Sequence, residues 1–133
     1  VKKVANTNTN SMFVKMFYGP EKPRIGCEMK FVIEFMKPYS SDLFEHQVHY
    51  DILRVDIIDG QTVPTYSAAN DEGRDHFWSA GGKVLRYWLL EGQSGLQTFA
   101  ILIKGIGPEF IAPSVGAGFF TFEVDIQGAK STS

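Results

Sequence analysis

The chain has 133 residues, which suits one domain with a sizeable core, and 44% of them are hydrophobic and 14% aromatic. The formal net charge of −2 and the scattered basic residues argue against a nucleic-acid-binding surface. The single cysteine, Cys27, excludes an internal disulfide, and no segment is long and apolar enough to span a membrane as a helix.

Apolar side chains recur at every second position in seven segments along the chain. This period is typical of β-strands, because successive side chains of a strand point to opposite faces. The predicted strands are 12–18, 28–36, 47–57, 61–67, 83–90, 95–104 and 118–126. Seven short strands predict an all-β fold, a seven- to eight-stranded immunoglobulin-like antiparallel β-sandwich over residues 11–128.

Residues 1–10 are polar and rich in Asn and Thr, which predicts an N-terminal arm outside the sandwich. The first strand carries bulky apolar side chains on both faces, which indicates coverage by a partner or burial on both sides. Exchange of this part of the chain between copies would provide such cover. The side chains predicted to fill the groove of a neighbouring copy are Val4, Met12, Val14 and Met16.

The segment 28–36 has the clearest alternation in the chain. Its predicted core-facing side chains are Met29, Phe31, Ile33 and Phe35. In the next segment, 47–57, the apolar positions change parity after Ile52. Such a change is what one inserted residue produces, so the pattern predicts a β-bulge in this strand.

The dipeptide Asp59-Gly60 predicts a tight hairpin turn between the third and fourth strands. Pro64 cannot donate a hydrogen bond to a ladder, so the fourth strand is predicted to lie at a sheet edge. In the strand 83–90 both parities are bulky, and one face is predicted to need cover from a loop or a neighbour. The segment 95–104 is predicted to be a central strand, and residues 129–133 a polar tail.

The chain resembles an immunoglobulin-like domain of secreted surface proteins of archaea, notably of ammonia oxidisers, whose chains often end in a PEFG-type sorting signal. The resemblance rests on short motifs that occur in order, namely EFMKP, HQVHYDI, DHFWSAGG, SGLQTFAILIKGI and FFTFEVDI. Leu96 and His49 depart from the residues usual in that family. The resemblance implies an extracellular location at the cell surface and no defined chemistry.

The three histidines lie near acidic residues in the sequence and are the candidate metal ligands. Imidazole and carboxylate groups suit zinc or copper, and the predicted ligands are His46, His49, His76 and Asp51. The alternative is a surface pair of His49 with Asp51 and a turn capped by His76. A blue-copper centre is not expected, because Cys27 is far in sequence from every histidine, and this thiol is predicted to be at least half buried.

A second candidate is an aromatic platform for stacking on sugars, with the alternative that these rings are core. Its members would be Tyr66, Phe77, Trp78, Tyr87 and Trp88. No catalytic motif is present, so we expect neither an enzyme nor a bound cofactor. The leading prediction is a non-catalytic extracellular structural or adhesive module, a subunit of a filament or pilus made of copies of itself. The alternative is a monomeric metal-binding or glycan-binding module.

Overall fold

The computed structural model describes residues 1–7, 12–37, 40, 42–43, 47–80, 82–106 and 118–128. In these residues the chain forms nine strands and one short helix. The strands are β1 (Lys2–Asn6), β2 (Phe13–Gly19), β3 (Glu28–Met36), β4 (Val48–Ile58), β5 (Gln61–Ser67), β6 (Phe77–Ser79), β7 (Lys83–Leu89), β8 (Gly95–Ile106) and β9 (Phe119–Ile126). The helix α1 (Ala68–Asp71) lies between β5 and β6. The predicted all-β class is confirmed.

The strands are arranged in two antiparallel sheets. The first has the order β1-β2-β3-β7, and the second has the order β5-β4-β8-β9 with β6 also paired to β4. β5 and β6 pair with the same strand at different places, because β6 pairs with residues 48–50 and β5 with residues 53–58. The helix α1 connects these two strands, near the position where β4 changes its partner from β6 to β5.

The two sheets share one hydrophobic core. The side chains of Phe31 and Phe35 in the first sheet pack against Phe99 and Tyr50 in the second, with ring centroids 6.3 and 5.1 Å apart. The predicted core residues of β3 are all fully buried. Burial of a large apolar side chain stabilises a fold by about 1.5–3 kcal/mol, so this cluster supplies most of the driving force.

The N-terminal arm predicted for residues 1–10 is a strand over part of its length. β1 pairs with β2 in register from Lys2 to Asn6, and the amine of Val1 donates to the carbonyl oxygen of Tyr18 at 2.7 Å. The pattern did not predict this strand, because a strand at a sheet edge is held by backbone hydrogen bonds and needs few apolar side chains. Residues 8–11 and 129–133, at the predicted domain boundaries, lie outside the described residues.

The β-bulge predicted in the third strand is found in its partners instead. Opposite β4, the register skips Thr65 of β5 and Lys104 of β8, so the extra residues belong to those strands. β4 itself keeps its alternation, and both of its faces are buried over residues 48–55. Leu53 and Val55 form a second small cluster with β8 on the face opposite the main core, which explains the apparent change of parity.

The hairpin turn and the edge strand are confirmed. Asp59 and Gly60 have φ angles of 51° and 78°, the positive values that a two-residue turn of this kind needs. β5, which contains Pro64, is the outermost strand of its sheet. β8 lies between β4 and β9, as expected for a central strand. Cys27, predicted to be at least half buried, is instead exposed because it lies in the turn before β3.

Candidate functional site

The outer face of the four-stranded sheet carries large apolar side chains. Phe17, Val32 and Leu85 are register partners on three adjacent strands and form one row across the sheet. Leu85, Tyr87 and Leu89 follow one another on β7 and are 51, 55 and 47% exposed. We call these five residues the apolar outer face. A contiguous patch of this kind marks an interaction surface more often than single exposed apolar residues do.

The two faces of β7 are used in an unexpected way. The side chains turned toward the core are Val84, Arg86 and Trp88, although Leu85, Tyr87 and Leu89 are the more apolar set. Arg86 is accommodated because its Nε donates to the hydroxyl of Tyr50 at 3.0 Å and its guanidinium lies 3.9 Å from the centroid of the Phe77 ring. The outward-facing side chains of β7 are therefore apolar, although they do not pack in the core.

The tip of the β4–β5 hairpin is a second exposed apolar feature. β8 pairs with β4 only as far as Val55, so the hairpin extends beyond the sheet. Ile57 and Ile58 are 65 and 54% exposed, and Val63 is also exposed. The acidic residues Asp56 and Asp59 flank these side chains. The tip therefore combines apolar surface with negative charge.

The two sheets differ in charge. The strands of the four-stranded sheet contain six Lys or Arg residues and two Glu residues, whereas those of the five-stranded sheet contain two basic and four acidic residues. On the first sheet Glu34 lies 3.9 Å from the amine of Lys15 and 3.8 Å from that of Lys83. Lys15, Lys30 and Lys83 share the outward parity of the apolar outer face, whereas Arg86 faces the core. On the five-stranded sheet Asp56, Glu123 and Asp125 are exposed, and Asp51 is buried.

The residues predicted to reach into a neighbouring copy have two different locations. Met12, Val14 and Met16 are fully buried in the protein's own core. The alternation of β2 turns Val14 and Met16 inward, and with Met12 they belong to the main hydrophobic core of their own chain. Val4 alone of the four is exposed, at 43%, on the edge strand β1.

Two of the predicted metal ligands lie side by side. The Nδ1 of His49 is 3.0 Å from the Nε2 of His76, and the Nδ1 of His76 is 3.2 Å from a carboxylate oxygen of Asp75. The hydrogen bond with His76 is the main cause that lowers the pKa of Asp75, and Lys104 adds to it. Pairing of β6 with β4 holds the segment that carries His76 against His49. His49 is buried, and His76 is half-buried.

The carboxylate of Asp51, a predicted metal ligand, accepts hydrogen bonds from its own chain. One of its carboxylate oxygens accepts the backbone N–H groups of Ile52 at 2.7 Å and of Ala69 at 3.0 Å, and the other accepts the hydroxyl of Ser67. Asp51 lies on β4 where pairing changes from β6 to β5. Its carboxylate supplies acceptors to the chain at the start of α1, and this explains why an acidic residue is buried there.

The remaining predicted site residues are not gathered in one place. His46 lies outside the described residues. Among the residues that are described, no group of three or more His, Cys, Asp or Glu residues is arranged to hold a metal ion. Phe77 and Trp88 of the predicted aromatic platform are core residues, while Tyr66, Trp78 and Tyr87 are exposed on three different strands. The structure thus divides the platform between the core and separate parts of the surface.

Arg54 is a buried cation that the sequence did not single out. Its guanidinium donates to the carbonyl oxygen of Glu91 and, at 2.9 Å, to that of Gln93, and it lies 4.9 Å from the centroid of the Tyr66 ring. Burial lowers the pKa of Arg54. These contacts fix the turn between β7 and β8 to β4, so we assign Arg54 a structural role.

Comparison with known protein families, with curated proteins and with solved structures gave no match to this chain. No helix in the described part of the chain has the length and apolar character needed to cross a membrane.

Proposed function

We propose that this chain is a non-catalytic extracellular structural or adhesive module that associates with other copies of itself. The observation that carries the proposal is the apolar outer face, where Leu85, Tyr87 and Leu89 are each about half exposed on β7. Exposed leucine and tyrosine side chains in a row lose contact with water when a partner covers them, at about 25 cal/mol per Å² of apolar area. Polar residues at these three positions would make a module without a partner more soluble.

The proposed fold of the module is the immunoglobulin-like sandwich. If the strands β2, β3, β4, β5, β7, β8 and β9 are lettered A to G, the first sheet has the order A-B-E and the second D-C-F-G. Immunoglobulin constant-type domains place A, B, E and D in one sheet and C, F and G in the other. The order supports the proposal for every strand but the fourth, which pairs here with the third.

We infer that the partner of the apolar outer face is the β4–β5 hairpin tip of a second copy. Both surfaces are apolar at the centre, since Leu85 and Tyr87 are exposed on one and Ile57 and Ile58 on the other. Their surroundings are opposite in charge, because the first sheet has an excess of basic residues and the hairpin carries Asp56 and Asp59. Complementary charges orient two such surfaces as they meet.

This joint is head-to-tail, because it uses different surfaces on the two partners. Repetition of a head-to-tail contact gives a ring if the rotation closes and an open filament if it does not. A filament agrees with the surface assembly expected from the sequence. The strand exchange expected there is the alternative joint, and it would involve β1, since β1 is a sheet edge and Val4 is its exposed apolar residue.

The extracellular location is supported by the resemblance to archaeal surface domains. It is tested by fractionating the source cells and probing intact cells with an antibody against the chain. We expect the antibody to label intact cells. Detection only after lysis would contradict the location, whatever the assembly state.

Assembly is tested with single substitutions on the two proposed surfaces, Leu85→Lys and Ile58→Asp. We expect the unmodified chain to show a mass that rises with concentration in analytical ultracentrifugation, and each variant to remain a monomer. Both residues are exposed, so the variants should fold, which circular dichroism checks. A monomeric unmodified chain at high micromolar concentration would overturn the proposal.

Mixing the two variants separates a head-to-tail joint from a two-fold one. The L85K chain keeps its hairpin tip and the I58D chain keeps its apolar outer face, so one productive joint remains. We expect the mixture to form dimers and nothing larger. A mixture that stays monomeric would exclude the hairpin joint.

Val4→Lys is the matched control, because Val4 is similarly exposed but lies on β1 at the opposite edge of the sheet. We expect this variant to assemble as the unmodified chain does. Loss of assembly in V4K with normal assembly of L85K would move the joint to the N-terminal strand and overturn the hairpin contact.

A further inference from the structure

The rings of two histidines, His49 and His76, meet between β4 and β6. His49 is opposite Trp78 in the β4–β6 register, and His76 immediately precedes β6, so hydrogen bonding between strands fixes both backbones. Their rings are 5.0 Å apart between centroids and are inclined at 69°. The Nδ1 of His49 faces the Nε2 of His76 at 3.0 Å. Two nitrogen atoms from residues 27 positions apart thus face each other at close range.

We propose that His49 and His76 bind one Cu(II) ion. Bonds from histidine nitrogen to a divalent metal of this series are about 2.0–2.1 Å long. An ion at that distance from both nitrogens, which are 3.0 Å apart, subtends an angle of about 95° between them. This angle is close to the 90° of a square-planar or tetragonal centre, the arrangement that Cu(II) and Ni(II) favour, and is narrower than the tetrahedral angle that zinc favours.

Asp75 contacts the His76 ring on the side away from the proposed ion. Its carboxylate is 3.2 Å from the Nδ1 of His76, which is the ring nitrogen on the side away from His49. A carboxylate in this position accepts the Nδ1–H proton, and the Nε2 lone pair is then directed at the ion. Lys104 donates to the backbone oxygen of Asp75 at 3.1 Å and so holds the segment that carries the carboxylate.

The donor set defines which ions the site takes. Neutral imidazole nitrogen binds Cu(II) more strongly than Ni(II) or Zn(II) at a given site. Two protein nitrogens leave further positions for water or for a small ligand, and His76 is the more exposed of the pair. Within the described part of the chain no group of three or more His, Cys, Asp or Glu residues is arranged around an ion.

The test is a titration of the purified chain with Cu(II), followed by electron paramagnetic resonance. We expect one equivalent of Cu(II) to give a tetragonal signal with superhyperfine splitting from two imidazole nitrogens. In His76→Gln we expect the two-nitrogen signal to be lost and the affinity to fall by more than tenfold, since chelation is removed. His76 is half-buried, so this variant should keep the fold, and a thermal melt without metal checks that.

Asp75→Asn is the second variant, and it leaves both ring nitrogens in place. Loss of an orienting group of this kind costs roughly 10–100-fold in metal affinity. Because Asp75 is exposed, we expect a loss of about tenfold with the two-nitrogen signal retained. This readout separates an orienting role from a merely structural one.

Two results would overturn the proposal. The first is Cu(II) binding of unchanged affinity in His76→Gln, which would place the ion elsewhere on the chain. The second is the absence of specific Cu(II) binding to the unmodified chain, which would mean that the 3.0 Å contact is only a hydrogen bond between the two rings. Neither result bears on assembly through the apolar outer face, so the two proposals succeed or fail separately.

Discussion

The carboxylate of Asp51 accepts the backbone N–H of Ala69 at 3.0 Å, and this contact bridges the point where β5 gives way to β6 along β4. The same carboxylate accepts the N–H of Ile52 and the hydroxyl of Ser67. Ser67 in turn accepts the N–H of Asn70 and caps the short helix. A buried acidic side chain thus supplies hydrogen bonds to a stretch of chain that no neighbouring strand satisfies.

We expect Asp51→Ala to lower the free energy of unfolding by about 3 kcal/mol, because three donors lose a buried acceptor. Asp51→Asn keeps one oxygen and should cost about 1 kcal/mol. Chemical denaturation measures both losses. Copper affinity should be unchanged in D51N, and a loss of affinity as large as that of H76Q would make Asp51 a ligand after all.

Arg54 should contribute to stability through the turn that it holds. Replacement by Met keeps the apolar stem but removes the hydrogen bonds to Glu91 and Gln93, and we expect a loss of about 2–4 kcal/mol. Hydrogen exchange of residues 91–94 should accelerate in the variant. Arg74→Met is the control, since Arg74 is exposed and lies 6.0 Å from the Phe77 ring centroid, and its loss should be below about 1 kcal/mol.

Gly92 is constrained by its backbone and by a neighbour. Its φ angle is 85°, and a methyl group there would collide with the hydroxyl end of Tyr66. Gly60 has a φ angle of 78° with open space around it, so Gly60→Ala measures the backbone strain alone. We expect about 1 kcal/mol for G60A and about 2–3 kcal/mol for G92A. In a Tyr66→Ala background the two losses should become equal, and a difference that persists would contradict the steric explanation.

Alkaline pH should destabilise the protein through Tyr50. Burial raises the pKa of Tyr50 above its ordinary value, and the hydrogen bond from Arg86 only partly opposes this. A pKa that is higher in the folded state gives stability that is present below about pH 10 and is lost as the pH rises through the folded value. The free energy of unfolding should therefore fall above about pH 10.

Tyr50→Phe removes that contribution. The slope of the free energy against pH between pH 10 and 11.5 should become shallower by up to about 1.4 kcal/mol per pH unit, the value for one proton. Denaturation at a series of pH values measures it. A slope equal to that of the unmodified chain would show that the Tyr50 hydroxyl does not titrate differently in the two states.

The sequence by itself determined seven of the nine strands in the described residues, the hairpin turn and the core-facing stripe of β3. These depend on local chemistry, because alternation of apolar residues specifies a half-buried strand and Asp59-Gly60 adopts the positive φ angles of a tight turn. The fully buried Phe31 and Ile33 confirm that stripe. β1 and β6 could not be predicted in this way, since short strands are defined by the neighbours with which they pair.

Only the tertiary structure decided which residues meet and which face of β7 is inside. Apolar side chains occupy both parities of β7, so hydrophobicity does not choose between them, and the space beside Tyr50 admits Arg86 on the core side. Likewise the acidic residues near the histidines were equivalent in sequence, but strand pairing brought His76 to His49 and turned Asp51 toward α1. Contacts between residues far apart in the chain depend on register and packing, and neither is encoded in a local period.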